Sequence, residues 1–153
     1  MERFVADRML GKLARWLRVL GYDTEYLGGA GDEAIRRGLD EGRVFLTRNR
    51  RARPWLKFGR VVMIKADDPR EQLREVVRQL HLPLAEEGLL TRCLDCNRPL
   101  VTVDKEEVRG EIPDYVWQTH GELRRCQGCR RVFWAGSHAE NIRHRLKADF
   151  SDL

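Results

Sequence analysis

Four cysteines fall in two matched pairs, Cys93-Leu94-Asp95-Cys96 and Cys126-Gln127-Gly128-Cys129, with 29 residues between them. Two residues between paired cysteines let one tight turn aim both sulfurs at a point. Two such turns offer four thiolates to one tetrahedral ion. Zinc is the expected ion, with a rubredoxin-like iron as the lesser alternative. Protein sulfur fills every position, so the ion would be structural, and it would supply folding free energy to a segment with a thin core.

A second set of residues is rich in oxygen. Asp7 follows the apolar run Phe4-Val5-Ala6 and precedes a helical pattern. Asp32 follows Gly28-Gly29-Ala30-Gly31 and opens another helical pattern. Asn49 lies beyond Arg43–Leu46, and Asp67 and Asp68 lie between Arg60–Lys65 and Pro69. Taken singly, each reads as a helix N-cap, where a side-chain oxygen meets free amides and the positive end of the helix dipole. Taken together, they sit where strands end and helices begin, which is where open α/β sheets place their chemistry. Arg8, Lys12, Arg15 and Arg18 recur along one side of the first helix, either a solvated face or a surface for polyanions.

The elements that must position these groups alternate. Strand-like runs at Phe4–Ala6, Thr24–Leu27, Arg43–Leu46 and Arg60–Lys65 are separated by helical patterns. The first of those helices carries Met9, Leu10, Leu13, Trp16, Leu17 and Leu20 on one face and stops at Gly21. Asp32–Glu41 has Ala34, Ile35 and Leu39 as its apolar side. The helix after Pro69 has Leu73, Val76, Val77 and Leu80. Pro54 and Trp55 fall in a short irregular or helical piece. Alternation of this kind predicts a small parallel sheet with helices on both faces, spanning residues 1–81. Leu82–Glu87, with Pro83, reads as a linker. Residues 91–153 then form a metal ribbon that includes the aromatic strand Val132-Phe133-Trp134. Ser137-His138-Ala139-Glu140 matches a capping box, with Ser137 as N-cap of a last helix. His138 in its first turn is either simply exposed or a contact for nucleic acid or phosphate.

Composition bounds the remaining options. The 153 residues are 42% hydrophobic and 35% charged, with 29 Lys and Arg against 24 acids. The resulting +5 suits a polyanionic partner. No apolar run is long enough to span a membrane, and the N-terminus lacks the pattern of a signal peptide, so a cytoplasmic location is expected.

Several stretches together resemble the Mut-seven C-terminal ribonuclease family, in which a PIN-like nuclease domain precedes a zinc ribbon. They are FVADRMLGKLARWLRVLGYDTEY, GDEAI around Asp32, GRVFLTRNR, DDPREQLREVV, RCLDCNRPL and CQGCRRVFWAGSH. The resemblance covers nearly the whole chain in order. It implies a ribonuclease whose acids hold Mg²⁺ or Mn²⁺. Asp7 and Asp32 match family acids. The third family acid belongs to a Thr-Arg-Asp motif, and here that position is Asn49, which offers an oxygen and no charge. Asp67 and Asp68 are candidates to compensate. Arg8, Lys12, Arg15, Arg48 and Arg50 would then hold the RNA backbone. The alternatives are a non-catalytic RNA- or ribosome-binding protein and a zinc-ribbon adaptor for another protein.

Overall fold

A computed structural model describes residues 1–151 and divides the chain into two compact units, Met1–Asn97 and Arg98–Leu153. In the first unit, β1 (Phe4–Ala6), β2 (Thr24–Tyr26), β3 (Val44–Thr47) and β4 (Val61–Met63) form one parallel sheet in the order β2-β1-β3-β4. Helices α1 (Gly11–Val19) and α2 (Asp32–Asp40) and the 3-10 segment Arg50–Lys57 make the crossovers, and α3 (Pro69–Leu80) follows β4. Both central strands, β1 and β3, are buried along their whole length, as strands covered on two faces must be. Val5 and Phe45 are register partners, and they pack with Ile35, Leu39 and Ala52. Period-two alternation turns Phe4, Ala6, Val44 and Leu46 to the opposite face of the sheet. On α2, a Cβ at Gly38 would lie 2.9 Å from Val5 Cγ1, so glycine is what lets this helix approach the sheet.

Three local departures from the sequence pattern have physical causes. The first helix does not start as an α-helix at Arg8. Residues Arg8–Leu10 form a 3-10 turn, and the α-helix begins at Gly11. A 3-10 turn advances about 120° per residue rather than 100°, which shifts the apolar phase. Leu10 is therefore fully buried, while Met9, expected on the core face, is 58% exposed. Arg18, expected on the basic stripe, is only 7% exposed. Its guanidinium donates to the carbonyls of Thr24 (3.0 Å), Leu94 (2.7 Å) and Asp95 (3.2 Å). Ser137 is not an N-cap: α5 (Ser137–Asp149) is capped by Gly136, with no side-chain capping bond.

The stretch read as a linker is tied to the first unit. Leu82 is buried, Tyr22 donates its hydroxyl to the Pro83 carbonyl (2.6 Å), and Leu90 N–H reaches the Val19 carbonyl (2.8 Å). Gly21, at φ +90°, sits against this stretch so closely that a Cβ would come within 2.3 Å of the Gly88 carbonyl oxygen. At the β2 edge, Arg43 is buried and bonds both oxygens of Asp23 (2.7 and 3.2 Å), and Asn97 donates to the same carboxylate (2.7 Å). Burial opposes ionisation of Asp23, but the bonds from Arg43 and Asn97 outweigh it and hold its pKa below the ordinary carboxylate value.

The second unit contains a three-stranded antiparallel sheet, β5 (Leu100–Val103), β6 (Leu123–Cys126) and β7 (Val132–Trp134), in the order β5-β6-β7. Its core joins Val108, Ile112, Val116 and Leu123, with Trp117 and Trp134 packed against them. Val116 and Trp117 come from α4 (Asp114–Thr119). Four buried residues make a small core cluster for such a sheet, and a metal cross-link would supplement it. Among the described residues, no helix is long and apolar enough to cross a membrane.

Candidate active site and four-cysteine cluster

The carboxyl ends of β1 and β3 open onto a cleft of about 530 Å³. Asp7, Asp32 and Asn49 all line it, together with Arg8, Arg48 and Arg50. Chain topology does this work: parallel β1 and β3 are neighbours, so the residues that follow them emerge at one edge. Asp32 arrives from the first turn of α2.

Asp7 is both a cap and a held carboxylate. Its Oδ1 accepts from Arg8 N–H (2.7 Å), as an N-cap should. Its Oδ2 accepts from the Thr47 hydroxyl (2.6 Å), and that hydroxyl accepts from Asn49 N–H (3.0 Å). Thr47 is fully buried at the end of β3 and orients Asp7 from beneath. Sequence reading passed over this positioning role, although Thr47 directly precedes Arg48 and Asn49. Asn49 caps the following 3-10 segment, Arg50–Lys57, through Oδ1 to Arg51 N–H (3.0 Å). Its one acceptor oxygen therefore already carries a hydrogen bond. Asp32 is exposed on the cleft wall.

The other expected site residues lie elsewhere. Asp67 pairs with Arg48, and Asp68 caps α3 through Arg70 and Glu71 N–H (3.0 and 3.2 Å). Neither lines the cleft, although Asp67 touches it indirectly by holding Arg48. Arg15 forms an ion pair with Asp95 (2.6 Å) and Lys12 is exposed on α1. His138 is exposed in the first turn of α5, in the second unit. The cleft's carboxylates are thus Asp7 and Asp32. Its apolar lining comes from Met9, Ala30, Ile35, Phe45, Ala52 and Trp55.

Each cysteine pair forms the same turn. Asn97 N–H bonds the Cys93 carbonyl (2.9 Å), and Arg130 N–H bonds the Cys126 carbonyl (2.9 Å). The residue after each second cysteine is left-handed, with φ +65° at both Asn97 and Arg130. Cys93 Sγ accepts from Cys96 N–H (3.4 Å) and Cys126 Sγ from Gly128 N–H (3.3 Å). All four sulfurs lie within 4.8 Å of one another. A tetrahedron with ~2.3 Å metal–sulfur bonds has sulfurs ~3.8 Å apart, so the donor set fits a single zinc after a small contraction. Among the described residues, this is the one group of three or more His, Cys, Asp or Glu side chains close enough to share an ion. The Cys93 turn is also pinned in place: Arg18 holds the carbonyls of Leu94 and Asp95, and Arg92 bonds the carbonyls of Gly21 (3.0 Å) and Asn97 (2.7 Å).

A parallel α/β unit with acids at its strand ends and a four-cysteine cluster compatible with a zinc ribbon is the architecture expected of the ribonuclease family that the sequence resembles. The family comparison agrees. The Mut7-C RNAse domain matches residues 2–146, and the chain belongs to that family. It is also similar to the "Exonuclease mut-7 homolog" of Homo sapiens, at 31% identity over 101 residues. That match covers 62% of this chain and only 12% of the human protein. No solved structure matches.

Proposed function

We propose that this chain is a metal-dependent ribonuclease whose centre is the cleft between Asp7 and Asp32. The observation that carries the reading is the meeting of these two acids, 25 residues apart in sequence, in one cleft beside three arginines. Hard oxygen donors suit Mg²⁺ or Mn²⁺. Magnesium in particular is commonly held by one or two carboxylates plus substrate phosphates, keeping several waters. Asp7 and Asp32 would hold the ion. When bound, such an ion supplies Lewis-acid polarisation of the phosphodiester and a more acidic attacking water. The protein's own part is positional. Thr47 and Arg8 N–H fix Asp7, leaving lone pairs on both oxygens. Arg8 and Arg50 are exposed and would hold the strand by its phosphates, with Arg48 steadied by Asp67. The four cysteines would bind one structural zinc.

A second reading has its own observation. With Asn49 in place of a third acid, the cleft has two carboxylates, and the amide oxygen is already engaged. An RNA-binding protein without catalysis would have the same arginines. The test is cleavage of labelled single-stranded and structured RNA with Mg²⁺, with Mn²⁺ and with EDTA. The nuclease reading expects metal-dependent products that Asp7→Asn abolishes. RNA retention without products in either metal selects the binding reading.

A further inference from the structure

Two large side chains, Met9 and Trp55, bring apolar surface into a cleft of acids and arginines. Met9 is 58% exposed although the helical pattern would have buried it. The turn that exposes it is pinned on both sides. Asp7 takes the Arg8 N–H, and Tyr26 donates its hydroxyl to the Arg8 carbonyl (2.7 Å). Trp55, half-buried, comes from the 3-10 segment that Asn49 caps. It packs on the Val5, Ile35, Leu39, Phe45 and Ala52 cluster, with its ring 5.8 Å from that of Phe58. Phe58 is itself flanked by Arg36 at 4.1 Å and Lys57 at 4.9 Å. Both Met9 and Trp55 line the same cleft as Asp7, Asp32 and Arg50. One recess therefore offers phosphate-binding cations, hard oxygen donors and an exposed thioether with an indole.

An unpaired nucleotide has that same composition: a charged phosphate and a flat apolar base. We infer that Met9 and Trp55 form a nucleobase subsite, which seats one unstacked base of a single-stranded RNA while the acids face its phosphate. The inference rests on the nuclease-cleft reading and adds its specificity element. Base-paired RNA presents no free base face, so the subsite selects single-stranded substrate. Stacking is tolerant of sequence, so discrimination among the four bases is weak.

The test separates the two readings. A fluorescein-labelled single-stranded oligoribonucleotide is bound to the full chain in EDTA, alongside strands carrying one abasic ribose at each position in turn. The expected result is one position where base removal weakens binding by roughly tenfold. That penalty shrinks in Met9→Ala, disappears in Trp55→Ala and is largely restored in Trp55→Phe. Met9 is surface-exposed, so Met9→Ala keeps the test valid even if Trp55→Ala unfolds. If Arg50→Ala weakens binding yet no abasic position matters, the base subsite is wrong and the cleft reading survives. If Arg50→Ala and Arg8→Ala also leave binding unchanged, RNA does not use this cleft and both readings fall.

Discussion

Replacing Asn49 by Asp restores the charge that the family motif has at this position, and the surroundings make the exchange unusually clean. Asn49 caps the Arg50–Lys57 segment through Oδ1. Asp caps about as well as Asn, so the fold should lose nothing there. The side chain is exposed, and changes at such positions usually move stability by less than ~0.5 kcal/mol. The electrostatic effect is larger. A unit negative charge ~4 Å from a dication gains about 2 kcal/mol even at the dielectric of bulk water. That limit suits a cleft whose Asp32 and Asn49 are both exposed. The corresponding change is about thirtyfold in Mg²⁺ or Mn²⁺ affinity. Direct ligation by the new carboxylate would add to it. Repulsion between the new charge and Asp7 would subtract, and Arg8, Arg48 and Arg50 in the same cleft offset part of that cost. Calorimetric titration of Mn²⁺ into wild type, Asn49→Asp and Asp7→Asn measures the effect. A cleavage series across metal concentration then reads its consequence. The expected order of affinity is Asn49→Asp, wild type, Asp7→Asn, with cleavage at limiting metal following the same order. Equal affinity in all three within twofold would refute the cleft as a dication site, whatever the RNA does.

Three further outcomes test the frame around the site. Arg18→Met should cost the first unit about 3 kcal/mol by removing charge-assisted bonds to three carbonyls, and should speed zinc loss to a chelator; unchanged zinc retention would show that the Cys93 turn does not need this anchor. Gly21→Ala should lower the urea midpoint by the equivalent of at least ~2 kcal/mol, because φ is +90° and the Gly88 carbonyl leaves no room; a neutral result would mean that residues 82–90 are not docked as described. Asp23 has a folded pKa below its unfolded value of about 3.9, so its contribution is complete above that pH and is lost as pH falls through the folded pKa; urea midpoints at pH 7 and pH 3 should therefore differ less in Asp23→Asn than in wild type, and equal differences would remove Asp23 as a source of acid sensitivity.

What was legible in the sequence was whatever a local period or spacing determines. The alternation of apolar runs and helical stripes gave the parallel sheet, because βαβ units have few other ways to close. The CxxC pairs gave the cysteine cluster, because spacing alone sets how the two sulfurs of a turn are aimed. What stayed hidden depended on phase and on distant partners. A stripe assumes 100° per residue, and the 3-10 turn at Arg8–Leu10 breaks that assumption just where the cleft begins. Met9 was therefore read as core, and its presence in the cleft could not be foreseen. Arg18 looked like its neighbours on the stripe. What buries it are carbonyls 76 and 77 residues away, which no local pattern encodes. Thr47 lies just past the strand-like run Arg43–Leu46, and no local pattern tells that its hydroxyl is aimed at Asp7 across 40 residues.

These hidden features share a location. α1 runs from the turn that presents Asp7 and Met9 to the arginine that grips the Cys93 turn. One short helix thus positions the cleft at its start and a cysteine pair near its end. A change that loosens Arg18 need not stay local, because the helix it sits on is continuous with the turn that aims Asp7. The physical reason for burying a costly guanidinium here is then more than cluster stability. Its burial lowers the Arg18 pKa from its ordinary value, a cost that three carbonyl bonds and the nearby cysteines must offset. An apolar residue at that position would avoid the cost but would leave the Leu94 and Asp95 carbonyls without this donor and the Cys93 turn without its grip on α1.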